Sequence, residues 1–213
     1  MKIRLVPFKE FPVALNMAID RVLFDRAVET GEACLRFYGF DQPSITIGKF
    51  QKSVPPGLRS YPAARRPTGG RAVLHDNDLV MTLVATHTRG FFSGSVLESY
   101  RKTAELIAEA GQSLGLSLEL ETGKPQPYQD MCFDSTSRYE LKLNGKKVVG
   151  IAQFRDKGVF LEQGSIQVPV DNARLMKEII RVFEGHRLRL EERALSPEEM
   201  QSAKDAQREF EIS

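Results

Sequence analysis

The chain has little of what many function classes require. It contains no tryptophan, two cysteines (Cys34 and Cys132) and three scattered histidines (His75, His87 and His186). Two cysteines are too few for a disulfide framework and point to a reducing, cytoplasmic setting. No His/Cys/Asp spacing resembles a metal site, so no metal is expected. The net charge is only +2, from 30 basic and 28 acidic residues, without the basic excess that nucleic-acid backbones select. No run approaches the ~18 apolar residues of a membrane span. The opening MKIRLVPFKEFPVALNMAID lacks the apolar core and cleavage site of a signal peptide, so neither membrane nor export is expected. Glycine patterns of the P-loop or dinucleotide kind are also missing.

What is present suits a globular chain of 213 residues, with 41% hydrophobic and 27% charged residues. Apolar positions Leu15, Ile19, Val22, Leu23 and Ala27 predict a helix from Val13 to about Glu29, closed at Thr30-Gly31. A second helix is expected from Ser95 to Leu114, and a third is capped by Asp171. Ser196, Pro197 and Glu199 mark the start of a last, polar one. ACLRFYGF and SITIG read as strands around a DQP turn, RAVLH and LVMTLVAT as strands around a DND turn. Asn144-Gly145 and Asp156-Lys157-Gly158 should join three further strands. Strand runs alternating with helices predict an α+β fold with a mainly antiparallel sheet and flanking helices. Residues 1–185 are expected to form the catalytic domain and 186–213 a helical extension of it.

Three features could carry chemistry. RRPTGGRAVLH sets Arg65, Arg66 and Arg71 around Gly69-Gly70, where the backbone can approach a ligand closely. The same string would also serve as a plain turn with solvated arginines. Cys132 lies among turn-forming residues, whereas Cys34 sits in a strand as a small hydrophobe. A loop cysteine is either an incidental thiol or a nucleophile, and a nucleophile needs a group that favours the thiolate. Lys147, fifteen residues on, could be returned to Cys132 by the Asn-Gly hairpin, or could be a sheet-edge charge. His75 could be an acid–base group or a hydrogen-bonded strand-end histidine.

Together LRFYGFDQPSITIGKFQ, RRPTGGRAVLHD and GKKVVGIAQFRDKGVFLEQGSI, with ALNMAID in the first helix, resemble the lipoate/octanoate protein ligase and transferase family. That family shares its catalytic fold with biotin-protein ligases. The resemblance spans about residues 1–185. Cys132-Phe133 and Tyr139-Glu140-Leu141 look most like the cysteine-dependent octanoyltransferase branch. The ligases' Gly-Asn after the corner is missing from HDNDLV, and Gln163-Gly164-Ser165 stands where His-Gly-Ser is expected.

The resemblance implies a protein N-octanoyltransferase of lipoate biosynthesis, with an acyl-thioester on Cys132, Lys147 beside it, and no cofactor. Arg65, Arg66, Gly69, Gly70, Arg71, His75, Gly150 and Gly164 would form the substrate pocket, its arginines guiding acidic carrier proteins. The donor would be octanoyl-acyl carrier protein, and the acceptor a lipoyl domain or the glycine-cleavage H protein. The alternatives are an ATP-dependent lipoate ligase subunit and a non-catalytic acyl-protein-binding homologue.

Overall fold

The computed structural model describes residues 1–122, 131–132 and 140–212. Along the chain, β1 (Lys2–Phe11) leads into α1 (Val13–Thr30), followed by β2 (Ala33–Phe40), β3 (Ser44–Ile47), β4 (Ala63–Arg65), β5 (Val73–His75) and β6 (Leu79–Thr86). Then come α2 (Val96–Ser113), β7 (Glu119–Leu120), β8 (Leu141–Leu143), β9 (Lys146–Asp156) and β10 (Val159–Ile166). The chain continues through α3 (Asn172–Gly185), β11 (Arg189–Glu192) and α4 (Pro197–Ala206).

Eight strands form one sheet in the order β11-β1-β2-β6-β10-β9-β8-β7, and β4-β3-β5 form a second. The large sheet is antiparallel from β2 to β7, while β1 runs parallel to both β2 and β11. The α+β expectation therefore holds, with one edge of mixed direction.

Alternation along the strands sorts two cores. Leu35 and Phe37 of β2 and Met81 and Leu83 of β6 face α2 and α3, meeting Ile107 and Ile179. Cys34 and Val84 face the other way, against Ile19, Leu23 and Phe24 of α1 and Ala203 of α4. The helix ends follow local chemistry. Ser95/Glu98 and Ser196/Glu199 each close a reciprocal capping box, and Gly31 ends α1 at φ 73°.

Both hairpins form where their turn residues require. Asn144-Gly145 and Lys157-Gly158 take φ values of 52°, 77°, 48° and 80°, the left-handed pairs of a two-residue turn. DQP and DND depart from the expectation of simple strand turns. Each carries the chain from one sheet to the other, so β2 and β6 lie in the large sheet while β3 and β5 lie in the small one. Helix α1 also differs from the one-sided stripe. Every residue from Val13 to Asp20 is buried, because the small sheet covers the face that solvent would otherwise take. The C-terminal segment supplies an edge strand as well as a helix. Arg4 of β1 reaches across to Glu199 with two bonds of 2.7 Å.

Candidate active site

Between α1, the α1-facing side of the large sheet and the small sheet lies a cavity of about 870 Å³, within the ~300–1,000 Å³ usual for ligand sites. Met17, Tyr38 and Val80 form its buried lining, whereas Phe50 and Leu97, 85% and 43% exposed, stand on its open side.

Two glycine turns build one wall. Arg65 donates to the carbonyls of Gly48, Lys49 and Gln51. Buried Arg66 donates to Thr46 O and Oγ1 at 3.0 and 2.7 Å, and to Gly69 O and Arg71 O at 3.0 and 2.8 Å. Each arginine thus pins one turn, and the turns touch. A Cβ on Gly48 would fall 2.0 Å from Gly70 O, so only glycine fits there, and Gly70 itself has φ 87°. These two arginines hold the wall together. Burial draws the Arg66 guanidinium below its ordinary value, and the charge of Cys132 opposes that shift.

The residues after the corner position the cysteine. Cys132 N donates to Ala72 O at 2.8 Å, and Met131 bridges Ala72 as a parallel pair. From the opposite side the β8–β9 hairpin brings in Lys147, whose Nζ lies 3.2 Å from Cys132 Sγ, 2.6 Å from Cys132 O and 2.6 Å from Glu140 Oε1. Lys147 and Glu140 side chains are 2% and 8% exposed. Gly150, three residues further along β9, faces this group. A Cβ there would stand 3.0 Å from the sulfur and 3.2 Å from Lys147 Cε. The arrangement places an ammonium against a half-exposed sulfur, the electrostatic condition for a reactive thiolate. Cys34 has no such setting; burial pushes its thiol up to about 12.

His75 lines the cavity, but both ring nitrogens are engaged. Nε2 lies 2.7 Å from Thr46 Oγ1 and Nδ1 2.8 Å from Asp78 Oδ2, with the ring against Phe40. Arg66 donates to the Thr46 hydroxyl and Asp78 can only accept, so the network closes with Nδ1–H toward Asp78. His75 therefore lines the wall with both ring nitrogens hydrogen-bonded.

Gln163 takes a position that explains why an amide works there. Its Nε2 donates to Asp20 Oδ2 at 2.7 Å and its Oε1 accepts from Thr68 Oγ1 at 2.7 Å, tying the glycine corner to α1. Asp20 also accepts from Tyr38 and Thr82 on the same oxygen and from Arg36 on the other. Burial, then the Asp20 charge, pushes the Tyr38 hydroxyl well up, which keeps it a donor.

A sequence model of the lipoyl protein ligase A/B catalytic domain matches residues 12–209. The chain belongs to that family. It is 35% identical to an octanoyltransferase LipM of Kyrpidia tusciae, over 91% of this chain and 80% of that one. It is 36% identical to an octanoyltransferase LipM of Carboxydothermus hydrogenoformans, over 82% and 68%. Among solved structures it is similar in fold to a lipoate-protein ligase A bound with ATP, at TM-score 0.77 and 20% identity over 98% and 95% of the two chains. It is likewise similar to a bi-partite lipoate protein ligase of Thermoplasma acidophilum, described together with its E2 lipoyl domain. There the TM-score is 0.72 and the identity 19%, over 97% and 92%.

On this lipoyl-ligase fold, Cys132, Lys147, Arg66, Gly69, Gly70, Arg71, His75, Gly150 and Gly164 all border one cavity. Arg65 stands behind it. Gly164 has room for a Cβ, whose nearest neighbour would be 3.6 Å away, so packing does not demand glycine there. Phe133 and Tyr139 lie outside the described residues. Sequence reasoning gave no role to Glu140, Gly48, Thr68 or Met17. Glu140 was within reach, since it stands in the same YEL string that supports the family resemblance.

Proposed function

We infer that this chain is an octanoyltransferase, an acyltransferase that delivers an octanoyl group to proteins of the lipoyl-domain kind. A cysteine sulfur 3.2 Å from a buried lysine, on the wall of an acyl-sized cavity, carries the assignment. Relatives at 35% and 36% identity named for the same activity support it.

The octanoyl tail lies toward Met17, Tyr38 and Val80, with its carbonyl at Cys132. In the first half-reaction the Cys132 thiolate, held by the Lys147 ammonium, attacks the thioester carbonyl of octanoyl-acyl carrier protein. The carbon–sulfur bond to the carrier's arm breaks, and the departing thiolate takes a proton from Lys147. In the second, a lysine ε-ammonium of a lipoyl domain or the glycine-cleavage H protein returns a proton to Lys147 and becomes an amine. The amine attacks the acyl-cysteine, Cys132 leaves as thiolate, and the remaining proton passes to water. The thioester bond supplies the driving force, so this route consumes no nucleotide.

Intact-protein mass spectrometry after incubation with octanoyl-acyl carrier protein, without ATP, tests it. The expected result is an octanoyl adduct on the wild type, absent from Cys132→Ala and discharged by an apo lipoyl domain. Acceptor modification that appears only with free lipoate and Mg-ATP would overturn the cysteine route.

A further inference from the structure

We propose that the open end of the cavity is a track for the amide-bearing arm of the acyl donor, laid between the outer edge of β9 and the first turns of α2. The proposal rests on the cysteine-thioester route above, in which the octanoyl group arrives as the thioester of a pantetheine arm. The cavity is larger than that group needs. At about 870 Å³ it stands near the top of the ~300–1,000 Å³ range of sites for drug-sized ligands, and an eight-carbon chain is smaller than those. Leu97, Tyr100, Ile151 and Gln153 line it together with Cys132, on the side where Leu97 is exposed.

Backbone groups form one bank. β8 pairs with β9 only as far as Val149, so among the described residues no strand lies beside the outer edge of β9 from Gly150 onward. In an antiparallel ladder the N–H and C=O of one residue point to the same side, and successive residues alternate. Gly150 O lies toward β10, 3.8 Å from where a Cβ on Gly164 would stand, so Ile151 and Gln153 turn their backbone groups outward. The Tyr100 hydroxyl agrees with this direction, since it takes a hydrogen bond from the Gln153 backbone. Burial, then the charge of Glu162, push that hydroxyl up against this bond, so it stays neutral and keeps its own hydrogen to donate. The α2 bank is held in place. Gln153 Nε2 donates to Ser99 Oγ at 2.9 Å, and Arg155 donates to Gly94 O and Ser95 O at 2.8 Å each.

A pantetheine arm matches these groups in kind and in spacing. It carries two secondary amides, each with one N–H donor and one C=O acceptor. The track offers the carbonyls of Ile151 and Gln153 as acceptors, and the Ile151 N–H and Tyr100 O–H as donors. It begins at the reacting atom, because a Cβ on Gly150 would stand 3.0 Å from the Cys132 sulfur. Ile151 and Gln153 follow one and three residues on, or ~3 and ~10 Å along the strand. In the arm, the amide nitrogens stand three and seven bonds from the thioester sulfur. That is roughly 4 and 8 Å of extended chain, at ~3.5 Å for every three bonds. The first amide therefore falls beside Ile151 and the second beside Gln153 and Tyr100, with the arm's paired methyl groups beyond it toward Leu97. The acceptor lysine presents only methylenes where the arm has its first amide.

Three octanoyl thioesters test the track, those of pantetheine with two amides, N-acetylcysteamine with one and mercaptoethanol with none. The second-order rate constant for Cys132 acylation is read by single-turnover mass spectrometry. On the wild type it should fall about fivefold with each amide removed, the scale of one hydrogen bond. In Tyr100→Phe the step between the two-amide and one-amide donors should vanish, while the step between one and none remains. Equal rate constants for all three donors on the wild type would overturn the proposal. A Tyr100→Phe loss of the same size on all three would overturn it too, marking the tyrosine as packing alone. Should Tyr100→Phe fail to fold, a pantetheine donor whose second amide is replaced by an ester decides on the wild type. It lacks the N–H that Gln153 O accepts; a fivefold loss supports the track, and an unchanged rate removes it. A wild type that no octanoyl thioester acylates is a separate result, against the thioester route itself.

Discussion

Gly150 and Cys132 face each other so closely that a side chain on one would displace the other. A methyl carbon built on Gly150 stands 3.0 Å from the Cys132 sulfur and 3.2 and 3.4 Å from Cε and Nζ of Lys147. The sulfur and ammonium meet only because β9 presents bare backbone at that point.

Gly150→Ala should therefore reduce octanoyl transfer by about 10²-fold, the usual cost of a roughly 1 Å misplacement of a reacting group. Its backbone is ordinary strand, so the fold should survive. Transfer rates beside a thermal melt check this; a variant with full activity would show that the sulfur has room elsewhere.

Gln163→Leu removes both ends of the link between Thr68 and Asp20. It leaves the Thr68 hydroxyl without that acceptor and Asp20 with one donor fewer, in a buried setting. We expect a loss of about 1–3 kcal/mol of stability by denaturant titration. Looser anchoring of the glycine corner should also raise KM for the acyl donor.

Between Asp41 and Asp76 the chain carries six basic residues and no acidic one. Arg65 and Arg66 are engaged by backbone carbonyls, and Arg71 lines the cavity, whereas Lys49 and Lys52 are exposed beside the protruding Phe50. Reversing both, Lys49→Glu with Lys52→Glu, should raise KM for octanoyl-acyl carrier protein by about tenfold, with the effect fading at high salt. KM for octanoyl-pantetheine, which has no protein surface, should not change. An equal rise for both donors would place the two lysines in acyl binding instead of docking.

Glu162, beneath α2, is pushed up from the ordinary 4.5 to about 7 by burial, with Thr103 and Gln153 donating to it in opposition. Between those two values the folded chain holds a proton that the unfolded chain has released. The stability this gives is full below about pH 4.5 and is lost as pH rises through 7. Glu162→Gln keeps the shape without the titration. Its stability should vary less over that window and exceed the wild type at pH 8, measured by denaturant midpoints.

Much of the fold could be read from local signals because their physics is local. Asn144-Gly145 and Lys157-Gly158 settle their turns through left-handed dihedrals that few other pairs accept. Ser95, Asp171 and Ser196 settle their helix starts through one side-chain oxygen each. The Cys132–Lys147 meeting was also foreseeable, since a hairpin of known turn returns its second strand alongside its first.

The rest depended on partners that no short window contains. RAVLH and LVMTLVAT have the same two-residue period whether they share a sheet or not, and only packing over α1 sent β5 and β6 to different ones. The parallel pairing of β1 with β2 needed α1 to cross between them. Gly48 and Gly70 touch across 22 positions, and Gln163 and Asp20 across 143. The sequence by itself determined the hairpin turns, the caps, the family and the pairing of Cys132 with Lys147. The tertiary structure decided that His75 is held on both nitrogens, that two arginines fasten the wall, and that Glu140 stands behind Lys147. Charge and hydrogen-bond capacity are written in each side chain, but what satisfies them is set by which distant residue the packed chain brings within about 3 Å.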